Sequence, residues 1–544
     1  MNEADTKAGK SGRTAAGGGF RAGAHRRTDA GNADRFAEMH RGRLLWVHGM
    51  GWLSWDGRRW LRDETNEVQR RAVETARAIY LEAAALNADA AGAEDPKAAA
   101  DEAEATTKWA VQSESRTRLD AMVHIGKSRP GLVLEGGARA LDPEPDALNV
   151  ANGILDLRTF ELGPHDPARL CTRVAGAEFR DDLDDGDRAE WLAFLGRVIP
   201  SPDVREFVQK QMGAALRGQY SEELMIPWGS GKNGKSTFLR AVRNALGDYA
   251  MEAAPELLIQ ARGKRNAGEE AAVAELQGRR FVTTIETAEG ARLHETFVKQ
   301  LTGESVLKAK FMRENPFEFE NQATLALATN HKPLIQGNDV AIWERLRLVP
   351  FDVHIPAAER DPHLGRRLEN RTNAAVVLAW MVEGLAKLEA FGMGDPPAEV
   401  AGATAAYRDE MDPLSDWLDA AVVPDPSGKA PVSWVYASYA EHCAQAGEAP
   451  MPQKGFNAAL ESRGAFQRDD KAQRVHGKAR KVWRGLSLRD EWQLAYLESQ
   501  NVHLNPPTDE EINAWIAEEE ENAARAARLR EATERGGEPK GLAR

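Results

Sequence analysis

Met225-Ile226-Pro227-Trp228-Gly229-Ser230-Gly231-Lys232-Asn233-Gly234-Lys235-Ser236-Thr237-Phe238-Leu239 is the stretch on which the fold turns. Its apolar opening reads as a buried strand, and a helical pattern runs on from Phe238 to Leu246. Between them stands Gly-x-x-x-x-Gly-Lys-Ser, a phosphate-binding loop in the strand–loop–helix setting it requires. Glycines leave no Cβ in the way, so successive backbone N–H groups turn inward toward phosphate oxygens while the next helix presents its positive end. Gly229, Ser230, Gly231, Lys232, Asn233, Gly234, Lys235, Ser236 and Thr237 are therefore the expected nucleotide contacts. Lys235 is expected to reach the β- and γ-phosphates of ATP and the Ser236 hydroxyl to hold Mg²⁺. The alternative is a plain glycine-rich turn.

Length and composition bound what surrounds that loop. A chain of 544 residues predicts roughly three domains. No apolar run approaches the ~20 residues of a membrane span, and no apolar signal segment follows the start, so neither membrane insertion nor secretion is expected. Cys171 and Cys443 are the only cysteines, too few for a disulfide framework or a cysteine-rich zinc site. A reducing cytoplasm fits. The net charge of −13 confines any nucleic-acid contact to local patches or a channel.

In chain order, residues 1–33 are rich in Gly, Ala, Arg, Ser and Thr and read as a disordered tail. A small α+β domain is expected over 34–190. Asp56-Gly57 between aromatic-rich runs is a hairpin signal, and Trp46, Trp52, Trp55 and Trp60 read as core before they read as a base-stacking surface. Helices follow from 66 to 125, broken by the Ala- and acid-rich stretch from Ala84 to Ala105, which includes a loop near Asp95-Pro96. Ala147 to Thr159 reads as strand, Asn152-Gly153 turn and strand. The aspartates between Arg180 and Asp187 fit a linker and helix cap better than a two-metal nucleotidyl-transfer site.

Beyond the loop, Phe281 to Glu286 is a hydrophobic strand ending in an acid, where an ATPase needs a carboxylate for Mg²⁺ or the attacking water; Glu289 is the second candidate. A second strand, Ala323 to Asn330, ends in an amide suited to the γ-phosphate or the attacking water. Asp339 to Arg347 begins a short helix with Asp339 as its cap. Arg345 and Arg347 are each placed to act as an arginine finger, or else to pair with Glu344 or Asp352 on the surface.

These blocks, with Lys299-Gln300-Leu301-Thr302-Gly303-Glu304, Pro316-Phe317-Glu318-Phe319, Leu327 to Pro333 and Ile342 to Phe351, come in an order that resembles the superfamily-3 helicase domain of phage and plasmid primase–helicases. That family includes the satellite-phage and poxvirus-type proteins. The match is close from Phe207 to Pro356 and looser upstream. It implies an α/β fold: an AAA+-like P-loop NTPase core over 191–400, preceded by the small α+β domain and followed by a winged-helix-like α+β domain. It implies that Lys235 and Ser236 contact nucleotide and metal, Glu286 is the Walker B acid, Asn330 the sensor and Arg345 the finger, with Arg347 as understudy. It further implies a homo-hexameric ring acting on single-stranded and forked DNA, with ATP and Mg²⁺ as cofactors. The segment Val306 to Arg313 corresponds to the family's channel hairpin, with Lys308, Lys310 and Arg313 as DNA contacts. Lys310 stands where an Arg is usual and Glu304 where an Asp is usual, so the phosphate grip loses a bidentate fork.

Asn373 to Phe391 reads as an amphipathic helix, and a Gly/Pro break marks a boundary near 395–405. Over 405–490 two helices and a basic hairpin bearing Lys478, Arg480 and Lys481 form the layout of a winged helix, with a basic hairpin of no DNA role as the alternative. Residues 491–544 read as a charged helix and tail. The leading function is an ATP-driven, ring-forming replication helicase. A P-loop nucleotide kinase, a non-catalytic assembly ATPase and residual primase activity are the competitors, and any primase or polymerase is expected as a separate partner.

Overall fold

The computed structural model describes residues 25–260, 268–286, 288–310, 316–335, 340–469, 471–475 and 478–492. They cluster into two compact units, divided between Arg408 and Asp409.

The first unit opens with α1 (Asp29–His40), whose first turn is capped by Thr28 accepting from the Gly31 N–H. β1 (Leu44–Val47), β2 (Gly51–Trp55) and β3 (Trp60–Arg62) form an antiparallel meander. Its Asp56 turn closes because the carboxylate accepts from the N–H groups of Arg58 and Arg59. Trp52 and Trp60 are buried in that region's cores, so these tryptophans fill space as expected. α2 (Glu67–Ala90), α3 (Pro96–Ser113) and α4 (Arg116–Gly126) follow, α3 starting on an Asp95 cap with Pro96 at its first position. β4 (Ala147–Val150) and β5 (Gly153–Asp156) make the hairpin around Asn152-Gly153, joined by β6 (Leu162–Gly163).

α5 (Asp185–Val198) spans the division expected near residue 190. Asp184 caps it by accepting from the Asp187 N–H at 2.8 Å, which accounts for part of the acidic run in structural terms. Then come α6 (Pro202–Leu216), β7 (Leu224–Trp228), α7 (Lys235–Leu246), β8 (Ala250–Glu252), α8 (Gly268–Ala274), β9 (Phe281–Glu286) and α9 (Glu295–Leu301). The hairpin β10 (Val306–Ala309) and β11 (Phe317–Glu320) precedes β12 (Thr324–Thr329), α10 (Val340–Trp343), β13 (Leu346–Pro350), α11 (Leu364–Leu368), α12 (Arg371–Phe391) and α13 (Ala398–Glu410).

Five strands make one parallel sheet in the order β13-β7-β12-β9-β8. A parallel sheet is covered on both faces, which is why its strands are runs of Leu, Ile, Val, Ala and Thr without alternation. Helix α12 departs from the amphipathic reading. Every residue from Asn373 to Val382 is buried, with Trp380 edge-on to Trp191 of α5 and Phe238 of α7. An all-round apolar pattern marks a central helix.

The second unit runs α14 (Ser415–Ala421), β14 (Val422–Pro431), α15 (Val432–Ala446), α16 (Gln453–Glu461), β15 (Gln467–Arg468), β16 (Gln473–Val475), β17 (Lys478–Arg480) and β18 (Val482–Leu488). β18 lies between β14 and β15 in one antiparallel sheet, and β16 and β17 form a separate hairpin. β14 is not anticipated from the sequence, since it holds Pro424, Pro426, Gly428 and Pro431. It is an edge strand with an irregularity between Asp425 and Lys429, the setting that tolerates proline. Among the described residues no helix is long and apolar enough to cross a membrane.

Candidate nucleotide site and nucleic-acid surfaces

The site forms at the carboxyl ends of three neighbouring strands. Thr329, the last residue of β12, is in register with Trp228 at the end of β7 and with Glu286 at the end of β9. The loop after β7, the amide after β12 and the acid of β9 therefore share one edge. Adjacent strands lie about 4.8 Å apart, so Glu286 stands about 10 Å across the sheet from Trp228. Ligands of open α/β sheets bind at such an edge.

The loop is shaped by contacts that only its own residues allow. Gly231, Lys232 and Gly234 all have positive φ, the left-handed region glycine enters without strain. A Cβ on Gly229 would collide with Asn233 Nδ2 and the Phe351 carbonyl. Asn233 Nδ2 donates to that carbonyl at 2.7 Å, and Ile355 N donates to Lys232 O at 3.1 Å, so the chain after β13 braces the loop. Gly234 packs beside Val198 and Phe194 of α5.

Lys235 is 5% exposed. Its ammonium donates to Gly229 O at 2.7 Å, Asn233 Oδ1 at 2.9 Å and Asn330 Oδ1 at 3.2 Å. Burial lowers its pKa to about 8, because three neutral acceptors replace water only in part. Ser236 is exposed at the start of α7, and Thr237 is half-buried behind it. A glycine-lined cradle, a buried cation ringed by neutral oxygens and a free-standing hydroxyl at a helix N-terminus together fit a polyphosphate with its divalent ion. Glu286 accepts from the Ala288 N–H at 2.6 Å, and Glu289 sits in the exposed turn beyond.

Arg345 and Arg347 lie at the other end of the sheet. Leu224 N donates to Arg345 O, and Arg347 is in register with Met225, so both arginines belong with the start of β7, not its end. Arg345 Nη1 donates to Ala341 O at 2.7 Å, while its Nε is buried without a partner among the described residues. Arg347 is held differently, by Glu223 at 2.7 Å and by the carbonyls of Glu344 and Leu346. The carboxylate it meets is thus Glu223, neither Glu344 nor Asp352.

On the β10–β11 hairpin, Leu307 and Ala309 are buried while Lys308 and Lys310 are exposed, the alternation of a half-buried strand. Lys308 is 3.3 Å from Glu318, directly opposite on β11. In the second unit the Arg480 guanidinium lies 5.6 Å above the Trp434 ring, and Lys481 is exposed. Arg313, the Asp339 cap, residues 1–24 of the tail and the helix expected after Thr508 lie outside the described residues, as does the side chain of Lys478. Sequence reasoning left Lys332 without a role and did not reach Tyr407. Lys332 stands two places after Asn330, a signal in itself, whereas Tyr407 carries no local signal.

The D5 N terminal like family model matches residues 33–200, and a family of unknown function, DUF5906, matches residues 228–345. The protein named "Putative helicase" of Acanthamoeba polyphaga mimivirus is 29% identical over 217 residues, covering 39% of this chain and 22% of that protein. The "Putative primase" of African swine fever virus (strain Badajoz 1971 Vero-adapted) is 28% identical over 220 residues, covering 38% and 22%. The "Uncoating factor" of Vaccinia virus (strain Western Reserve) is 27% identical over 227 residues, covering 39% and 28%. The matches thus span 22% to 28% of the length of these viral relatives. Among solved structures, the apo NrS-1 C terminal region (305–718) is similar at a TM-score of 0.40 and 10% identity, over 57% of this chain and 77% of that one.

Proposed function

We propose, from its D5 N terminal like match over residues 33–200 and its viral relatives named "Putative helicase" and "Putative primase", that this chain is an ATP-driven, ring-forming DNA helicase of phage or viral replication. Residues 191–400 are read as its AAA+-like, superfamily-3 core. The observation that carries the proposal is the separation of Lys235 from Arg345 across the sheet. β7 is five residues long, about 17 Å at 3.3 Å per residue. An arginine side chain does not span that distance, so Arg345 serves a phosphate site only on another copy, which is the logic of a finger in trans.

Within one site, Gly229 to Thr237 would hold the phosphates and Lys235 would exchange its neutral acceptors for phosphate oxygens. Ser236, with Glu286, would hold Mg²⁺, which would supply charge neutralisation to the phosphates. Glu286 would also orient and deprotonate the attacking water, and Asn330 would hold that water or the γ-phosphate. Arg345 of the adjacent subunit would stabilise the charge that develops, with Arg347 kept in place by Glu223. Lys308 and Lys310 face a DNA strand in the ring channel. The second unit is read as a winged-helix-like module, α16 offered to a groove and the Lys478, Arg480 and Lys481 hairpin to backbone phosphates.

The test is ATP hydrolysis with and without single-stranded DNA for the intact chain, Lys235→Ala and Arg345→Ala, alongside mass in solution. DNA-stimulated hydrolysis, lost in both variants and partly regained when wild type is added to Arg345→Ala in a large ring, is the expected result. Hydrolysis indifferent to DNA, or a silent Arg345→Ala in a monomer, removes the ring motor and leaves the kinase or assembly-ATPase reading.

A further inference from the structure

Asn330 and Arg345 serve opposite ends of the sheet, yet a single packed cluster touches the segments that carry both. Lys332 Nζ lies 4.7 Å from the Trp228 ring and 5.7 Å from the Tyr407 ring, within range of a cation–π attraction to each. Trp228 is the last residue before the loop, and Lys332 follows Asn330 by two residues. Tyr407 of α13 is fully buried. Its hydroxyl donates to Pro333 O, and its ring meets Trp343 edge-on, centroids 5.1 Å apart at 84°. Trp343 ends α10, and Arg345 Nη1 donates back to Ala341 in that same turn. Loop, sensor segment, α13 and finger helix therefore share one packed contact.

We infer that Lys332, Tyr407 and Trp343 are positioning residues that set the orientation of Arg345 according to what occupies the loop of the same subunit. The inference rests on the ring-ATPase reading. Asn330 now bonds Lys235. A phosphate that takes over Lys235 frees the Asn330 amide to turn toward it, and the Asn330–Pro333 segment moves with it. Close-packed interiors answer such a shift by repacking and not by stretching. Lys332 and the Pro333 carbonyl carry the shift to Tyr407, Tyr407 to Trp343, and Trp343 to the turn that holds Arg345. A subunit thereby offers its finger to the neighbour only when its own site is filled, which orders hydrolysis round the ring.

Plain core packing would make the same residues important for stability alone, and the experiment separates the two. Full-length Lys332→Met, Lys332→Arg and Tyr407→Phe are compared by kcat and KM for ATP, and each is mixed with Glu286→Gln subunits, which bind ATP, do not turn it over and keep a normal relay. Lys332→Met is expected to lower kcat about tenfold, within the usual coupling range, with KM for ATP changed less than twofold. Lys332→Arg is expected to restore most of it, since the cation over both rings is kept. Mixing with Glu286→Gln is expected to raise turnover per Lys332→Met subunit at least about threefold, because its intact loop then meets a well-placed Arg345. Tyr407→Phe keeps the ring and loses the bond to Pro333, so it tests the relay without depending on how well Lys332→Met folds. If mixing recovers nothing, or KM rises as much as kcat falls, the defect lies in the subunit's own site and the relay is wrong. If Lys235→Ala and Arg345→Ala leave hydrolysis intact, the ring-ATPase reading fails on its own account.

Discussion

Lys235 Nζ stands 3.2 Å from Asn330 Oδ1, joining the loop after β7 to the amide at the end of the neighbouring strand. Asn330 is half-buried and its oxygen already faces the position where a terminal phosphate would meet the lysine. Once a phosphate takes over the lysine and the amide turns, its Nδ2–H would donate to that phosphate, and removing such a donor from a preorganised site costs about 10²–10³ in turnover. Asn330→Ala is therefore expected to lower ATP hydrolysis about 10²-fold while shifting nucleotide affinity less than about threefold. Asn330→Asp should weaken ATP binding instead, because a carboxylate competes with phosphate for the ammonium. Steady-state hydrolysis and a fluorescent-nucleotide titration of both variants distinguish the two effects.

On the proposed reading, the same lysine would make nucleotide binding depend on pH. With the loop in its present state burial holds Lys235 at about 8, and a phosphate beside it raises that value, so binding takes up a proton. Affinity should be full below pH 8 and fall by up to about tenfold per unit above it. Stability of the nucleotide-free protein moves the other way. Below pH 8 the lysine is charged in both states and burial opposes folding; between pH 8 and the unfolded value of about 10.4 the unfolded chain binds more protons, so this group's contribution to stability rises. Titrations at pH 7, 8 and 9 check the first statement, and Lys235→Met, which has no proton to gain, should flatten both.

Gly229 tests the cradle by volume. Its missing side chain is the room taken by Asn233 Nδ2 and the Phe351 carbonyl, the two groups bonded at 2.7 Å behind the loop. Gly229→Ala must push them apart, an overpacking that costs roughly 1–3 kcal/mol. The expected outcome is a lower denaturation midpoint with ATP binding weakened more than tenfold, an affinity loss of over about 1.4 kcal/mol. A variant that binds ATP normally would show that the loop rebuilds and that Phe351 is not part of it.

The loop itself was open to sequence reading because its logic is local: each glycine, the lysine and the serine act within nine consecutive positions. The strand ends Glu286 and Asn330 were equally legible, since a hydrophobic run that stops at a polar residue announces its own edge, and the register of Thr329 with Trp228 and Glu286 places them on one edge with the loop. What escaped is non-local. Phe351 acts through its carbonyl, which has no side-chain signature, and Tyr407 meets Pro333 and Trp343 only after the chain has folded. β14 was hidden by its prolines, which an edge strand tolerates, and α12 by a pattern that is apolar all round where an outer helix was expected.

Lys308 gives the hairpin a quantitative test. It is exposed, and Glu318 opposite it lies at 3.3 Å, a surface pair worth little in stability but one that competes with a phosphate. If the hairpin holds single-stranded DNA, Lys308→Ala should reduce the slope of log affinity against log salt by about 0.7, and Glu318→Gln should strengthen binding at low salt. Binding isotherms between roughly 50 and 200 mM salt resolve a change of that size. Equal slopes for wild type and Lys308→Ala would move the DNA contact elsewhere.

Helices α1 and α2 are tied by an ion pair cut off from water. Arg35 of α1 and Glu82 of α2 form two bonds, 2.7 and 2.8 Å, with both side chains 1% exposed. Two further guanidinium bonds go to the carbonyls of Arg26 and His25, so the cation is satisfied on all sides only while Glu82 is present. Glu82→Ala leaves that charge buried and unpaired, which costs about 3–5 kcal/mol. Replacing both partners, as Arg35→Met with Glu82→Leu, removes the two charges together and should cost less than the single change. Chemical denaturation of the single and double variants is the measurement. A double variant less stable than Glu82→Ala would mean that the bonds from Arg35 to the preceding carbonyls, and not its pairing with Glu82, hold α1 in place.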